Sequence, residues 1–223
     1  MMQKGCDAQL RASTADGDQE PMDNLHLFAL INAGPGLGSL RLGAAIGLAQ
    51  WLIYGLPLAM AIAWVRGDRI ARRDLLQMLL ATLIALGVGQ IVAHLWPLPR
   101  PVALHLGSQY LEHSNDPGMP SDHVTVFWSL GLAAFGTRRF GVWGRPLLAM
   151  GLVVGWSRVF LGVHFPFDVL AALPVASMGA IGSHVLQRPT MPFVVRLLDL
   201  YDRVSQLGKL RLRAARKAWA RRA

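Results

Sequence analysis

Cysteine and charge are what this chain has least of. A single cysteine, Cys6, stands among 223 residues, so neither an intramolecular disulfide nor a thiolate metal cage can be built. Charged residues make up 16% against 53% hydrophobic ones, too few to cover an ordinary soluble domain. Acidic residues are the scarcer sign, 13 Asp and Glu against 22 Lys and Arg. No clustering of carboxylates offers a divalent cation an oxygen cage, so no metal or other cofactor is expected. The start also lacks a basic stretch running straight into an apolar core, so residues 1–21 do not read as a signal peptide. They are expected to form a polar, disordered tail, unless Met22 is the true start. The net charge of +9 does not point to nucleic acid, because the basic residues lie between and after apolar runs rather than among aromatics.

What is present is a membrane pattern. Asp23 or Asn24 can cap a short amphipathic helix from Met22 that ends near Gly34-Pro35-Gly36. Five apolar runs follow, at about 42–65, 74–96, 123–136, 146–163 and 167–187. Crossing a bilayer core takes roughly 20 residues, so the third is short unless its helix begins near Ser121 and continues past Gly136. The expected fold is therefore all-α: a polytopic membrane helix bundle of about five transmembrane helices, preceded by an interfacial helix. Arg66, Arg69, Arg72 and Arg73 follow run one, Arg138, Arg139 and Arg145 follow run three, and ten Lys or Arg residues follow run five. Those regions share one side of a five-span topology, which makes that side cytoplasmic; Lys4, Arg11 and Arg41 are a mild violation. Residues 22–188 read as one membrane domain, and 189–223 as a basic cytoplasmic tail whose part from Pro192 onward suits a helix on the inner leaflet. The connection Pro97 to Pro120, with His105 and His113, is long enough to suggest function.

Three polar clusters fall at outward ends of these runs: Arg100-Pro101, Pro120-Ser121-Asp122-His123, and Ser157-Arg158 with His164 and Asp168. Each alone has a structural explanation as a turn, a helix cap or a satisfied interfacial histidine. Together they supply a phosphoryl-transfer set. Two guanidiniums present forked donors to phosphate oxygens. Ser121 before the third run and Pro166 at the fifth place two helix N-termini where an anion is favoured. Neutral His164 can attack phosphorus while Asp168 fixes its tautomer, and His123 can give a proton to the leaving oxygen. No metal is needed for that sequence of steps.

These clusters resemble the three-part signature of the type 2 phosphatidic acid phosphatase (PAP2) superfamily. The third part, Ser-Arg, five residues, His, three residues, Asp, is matched in full by Ser157, Arg158, His164 and Asp168. The second, usually Pro-Ser-Gly-His, reads Pro120-Ser121-Asp122-His123, and the first is matched only at Arg100-Pro101, with Ala93 where the family has lysine. Trp128 and the phrase Gly162-Val163-His164-Phe165-Pro166 are similar to the bacterial undecaprenyl-diphosphatase branch. The resemblance implies a polyprenyl diphosphate substrate cleaved on the outer face of the bacterial inner membrane. It implies a phosphohistidine on His164, orientation by Asp168, protonation by His123, and phosphoryl binding by Arg100, Ser121 and Arg158, with Asp122 beside them. Other lipid phosphatases of the superfamily, and an inactive membrane adaptor, are the alternatives.

Overall fold

The computed structural model describes residues 19–111 and 116–220, with side chains over 22–111 and 116–207. Residues 1–18, His113 and the side chains of Lys209, Arg213, Lys217 and Trp219 lie outside the described set, so the expectations placed on them do too. Among the described residues every regular element is helical and none is a strand. The α-helices are α1 (Gln19–Ile31), α2 (Ser39–Ile46), α3 (Leu52–Arg66), α4 (Arg69–Leu95), α5 (Asp122–Phe135), α6 (Gly144–Phe160) and α7 (Pro166–Ala220). A π-helical turn, Gly47–Trp51, joins α2 to α3, and a 3-10 turn, Gly141–Trp143, precedes α6.

Local chemistry sets the boundaries. The Gly67-Asp68 pair makes the first turnaround: Gly67 ends α3, and the Asp68 carboxylate accepts the Ala71 N–H at 2.8 Å to cap α4. That cap starts α4 five residues ahead of the apolar run, drawing Arg69, Arg72 and Arg73 into the helix. The Ala71 N–H, together with Arg139, also holds the Asp68 carboxyl below the usual carboxylate range. α5 ends at Gly136, beyond which buried Asp74 of α4 accepts the N–H groups of Arg138 and Arg139 at 3.0 and 2.9 Å. α1 starts three residues ahead of Met22, inside the segment expected to be a tail.

Three continuous stretches are long and apolar enough to cross a membrane: Ser39–Arg66, Arg69–Leu95 and Pro166–Leu207. α5 and α6, with 14 and 17 residues, would span about 21 and 25 Å, short of a hydrocarbon core of roughly 30 Å. α5 is instead the buried axis, packed by α4, α6 and α7, with Val124, Thr125, Phe127, Trp128 and Ser129 withdrawn from the surface. Large apolar side chains face outward, among them Trp51, Leu58, Ile91, Leu170, Ile181 and Val185, as bilayer contact requires. Inside, polar groups meet in pairs: Ser129 donates to Thr82 at 3.0 Å and Gln187 to Gln77 at 3.0 Å.

α7 differs from expectation in length. It runs through Pro189 and Pro192 without ending, so the segment set apart as a tail continues the last helix. There Asp199 pairs with Arg69, and Asp202 with Arg72 at 3.2 Å, while the Arg72 guanidinium lies 4.6 Å from the Tyr201 ring centre. Nearer the middle of the bundle, α4 and α7 approach so closely that a Cβ on Gly179 would collide with the Ala81 carbonyl and crowd Ala85. Gly179→Val is expected to force those helices apart and destabilise the bundle by about 1 to 3 kcal/mol, read as a lowered melting temperature in detergent.

Candidate active site

The third cluster forms a hairpin between α6 and α7. α6 closes at Phe160, the chain turns at Gly162 with φ +79°, and Pro166 opens α7. A side chain at Gly162 would strike the Ser108 carbonyl, so the turn requires glycine for space as well as for conformation. His164 lies in this hairpin, 2% exposed, and Asp168 in the first turn of α7, 3% exposed.

Asp168 gathers the neighbouring segments. Its Oδ2 accepts the Phe165 N–H at 2.9 Å and lies 3.3 Å from His164 Nδ1, while its carbonyl accepts the Ser121 N–H at 3.0 Å. The second cluster is thereby bonded to the third. Ser121 holds the N-cap position of α5, as its place before the apolar run suggested, but its hydroxyl makes no cap bond. That oxygen is fully buried and has no protein partner, and the same holds for Thr125 one turn further on.

Arg100 returns from the end of α4 through Pro97 and Pro99. Its Nε donates to the Asp116 carbonyl at 2.9 Å, and its Nη1 lies 3.4 Å from the Val163 carbonyl and 3.1 Å from His164 Nε2. The same Nη1 lies 3.5 Å from His164 Nδ1, so the guanidinium sits across the imidazole ring and not on one nitrogen alone. The Asp168 carboxylate beside Nδ1 favours the tautomer with its proton there, which makes Nε2 the basic nitrogen. Burial pushes the Arg100 guanidinium down from its usual value, and the carboxylates of Asp168, Asp116 and Asp122 pull it back up. Arg158, in the last turn of α6 and 2% exposed, donates through Nη1 to the Ala49 carbonyl at 3.1 Å. Ala49 belongs to the π-helical turn, a feature often found at functional sites.

His123 is half-buried in the first turn of α5. Asp122 is exposed as the first residue of that helix, where a carboxylate suits the positive end of the dipole, and its Oδ1 lies toward Gly89 of α4. Ala93 is half-buried on α4, and His94 and His105 are exposed. Ser157 spends its hydroxyl on the Val154 carbonyl within α6. Sequence reading missed Asp116, Val163 and Ala49, which act through backbone carbonyls that no side-chain pattern marks. Among the described residues, no three of His, Cys, Asp or Glu converge as a metal cage.

Fold and geometry define a helical membrane protein with a cup at one end, where two buried arginines meet a histidine paired with an aspartate. Residues 74–191 match the PAP2 superfamily, and the chain belongs to that family. The Escherichia coli (strain K12) protein named "Putative undecaprenyl-diphosphatase YbjG" is 35% identical over 73% of this chain and 82% of its own length. The Bacillus subtilis (strain 168) undecaprenyl-diphosphatase BcrC is 26% identical over 81% of this chain and 93% of its own length. The crystal structure of Aquifex aeolicus LpxE superposes with a TM-score of 0.59, covering 72% of this chain and 93% of that one. At 20% identity that likeness is one of fold.

Because the buried Ser121 hydroxyl bonds to nothing in the protein, Ser121→Ala is expected to raise stability by about 1 kcal/mol. The same change is expected to weaken inorganic phosphate binding about tenfold, by loss of a hydrogen bond to a charged group. Thermal unfolding and phosphate titration of the purified protein check the two halves.

Proposed function

We propose that this chain is an undecaprenyl-diphosphate phosphatase, releasing inorganic phosphate and leaving the lipid monophosphate for reuse as an envelope carrier. The observation that carries the reading is His164, buried against Arg100 with Nδ1 beside the Asp168 carboxylate. An uncharged, oriented ring nitrogen inside a cationic cup is what attack on a phosphoryl group requires. The names of the Escherichia coli and Bacillus subtilis relatives support the lipid diphosphate as substrate.

The terminal phosphoryl group enters the cup and its oxygens take the Arg100 donors. The Nε2 lone pair of His164 then bonds to phosphorus while the bond to the bridging oxygen breaks. His123 protonates the departing lipid phosphate, and Asp168 holds the Nδ1 proton as positive charge develops on the ring. Neutral His123 next takes a proton from water, which attacks the phosphohistidine and restores His164 with release of phosphate. Arg100, Arg158 and Ser121 hold the phosphoryl oxygens throughout, and Asp122 stands at the rim.

Residues 22–188 make the phosphatase domain, in which the shorter α5 and α6 complete five passes beside the longer helices. The cup faces the outer side of the bacterial inner membrane, where the polyprenyl chain stays in lipid while its headgroup enters. The arginine-rich ends and the segment 189–223 face the cytoplasm.

The test is phosphate release by detergent-purified protein offered undecaprenyl diphosphate, phosphatidylglycerophosphate and phosphatidic acid. Preference for the first is expected; preference for either other lipid, or no release from any, overturns the reading. His164→Ala is expected to lose at least about a thousandfold in kcat while still inserting in membranes. His123→Ala is expected to slow cleavage least for a substrate whose leaving group needs no proton. EDTA is expected to leave the activity intact.

A further inference from the structure

We propose that α1 is a positioning element of the active site, in which Asn24, Phe28 and Asn32 hold the hairpin that presents His164. The inference rests on the function proposed above, since it assigns these residues to that reaction. Their spacing, four and four, puts them on one helical face, and Asn32 continues the last turn through its N–H bond to the Phe28 carbonyl at 2.8 Å. Leu27 and Leu30 are exposed on the remainder of the helix, so the face carrying the asparagines is the one turned inward.

That face meets the hairpin in order. At the near end, the Phe160 carbonyl closes α6 and has no later helical turn to bond. It accepts the Asn32 Nδ2 at 3.2 Å and the Ala33 N–H at 2.9 Å. In the middle, the Phe28 and Phe165 rings meet edge to face with centroids 5.2 Å apart, both nearly free of solvent. At the far end, the Phe167 N–H, left open in the first turn of α7, donates to Asn24 Oδ1 at 3.1 Å. His164 lies between those anchors. α1 therefore closes the frayed end of one helix and the frayed start of the next on either side of the nucleophile.

Asn32 also joins the loop on the opposite side of the cup. Its Oδ1 accepts the Ser108 N–H at 2.8 Å and its Nδ2 donates to the Ser108 carbonyl at 3.0 Å. Gly107 presses so closely on the Asn32 amide and the Phe28 ring that an added Cβ would collide with both. Tyr110 adds two bonds in the same direction, its hydroxyl to the Gly34 carbonyl at 2.6 Å and its N–H to the Leu161 carbonyl at 3.1 Å. Hairpin, loop and α1 are thus one bonded unit.

The two asparagines do different work. Among the described residues Asn24 serves only as an acceptor, whereas Asn32 needs both donor and acceptor. In full-length protein, Asn24→Ala and Asn32→Ala are each expected to lower kcat for undecaprenyl diphosphate about tenfold with KM within about twofold. Both are expected to speed amide hydrogen exchange over residues 160–168. Asn24→Asp keeps an accepting oxygen and is expected to restore kcat and slow exchange; Asn32→Asp loses the donor and restores neither. Wild-type kcat with unchanged exchange in both alanine variants overturns the proposal, and so does rescue by aspartate at both positions or at neither. If the wild-type chain itself releases no phosphate from that lipid, the proposed function fails, and the exchange pattern of the four variants still decides whether α1 positions the hairpin.

Discussion

The hydrogen bonds of Asp168 are what the remainder of the site depends on. One residue accepts from Phe165 and faces His164 with its carboxylate, while its carbonyl accepts from Ser121. A carboxylate withdrawn from water costs several kcal/mol unless its lone pairs are met, and here the satisfying groups come from the histidine it orients and from the turn that carries it. The starts of α5 and α7 are consequently fixed to each other, and the phosphate-facing ends of both helices cannot drift apart independently. Gly118 fits against the same oxygen, where a Cβ would lie 3.0 Å away, so the long loop is pressed onto this point as well.

The anchoring of the two arginines follows a related economy. Arg100 and Arg158 are oriented by the carbonyls of Asp116, Val163 and Ala49, and the carboxylates of Asp168, Asp116 and Asp122 act on the Arg100 charge. A carbonyl orients a guanidinium while leaving its charge in place, whereas a bidentate carboxylate would cancel much of it. The donors of both arginines are thereby held in fixed directions, in surroundings where little water screens them. At the other end of the bundle the logic reverses: Arg69 and Arg72 are paired with Asp199 and Asp202, and their charges serve cohesion.

Much of this was legible in the order of residues. Apolar runs located α4 through α6 to within a few positions, and Arg100, Ser121, Arg158, His164 and Asp168 were readable because side chains of distinctive chemistry stood at helix ends. The departures have physical causes. Hydrophobicity does not mark where a helix stops, so the run through Val163 continued past the end of α6, while Gly162, with positive φ, marks the actual turn. The start of α4 was hidden because arginines in a first turn look like a loop until Asp68 is recognised as their cap. The reach of α7 was hidden because Pro189, Pro192 and a run of charge resemble an ending. Asn24 looked like a cap for its own helix, and instead it caps another 143 residues away.

The π-helical turn at Gly47–Trp51 gives the segment an unusual kind of sensitivity. A π turn holds one residue more than an α turn, so everything after Leu52 is set about 100° further round the axis than an unbroken helix would place it. Within those five positions, the number of codons matters more than most of the letters they spell. An in-frame loss of one residue would give a more regular helix, yet it would swing the lipid-facing side of α3 away from the bilayer and carry the Ala49 carbonyl off Arg158. Gene comparison at this point should therefore count length before identity.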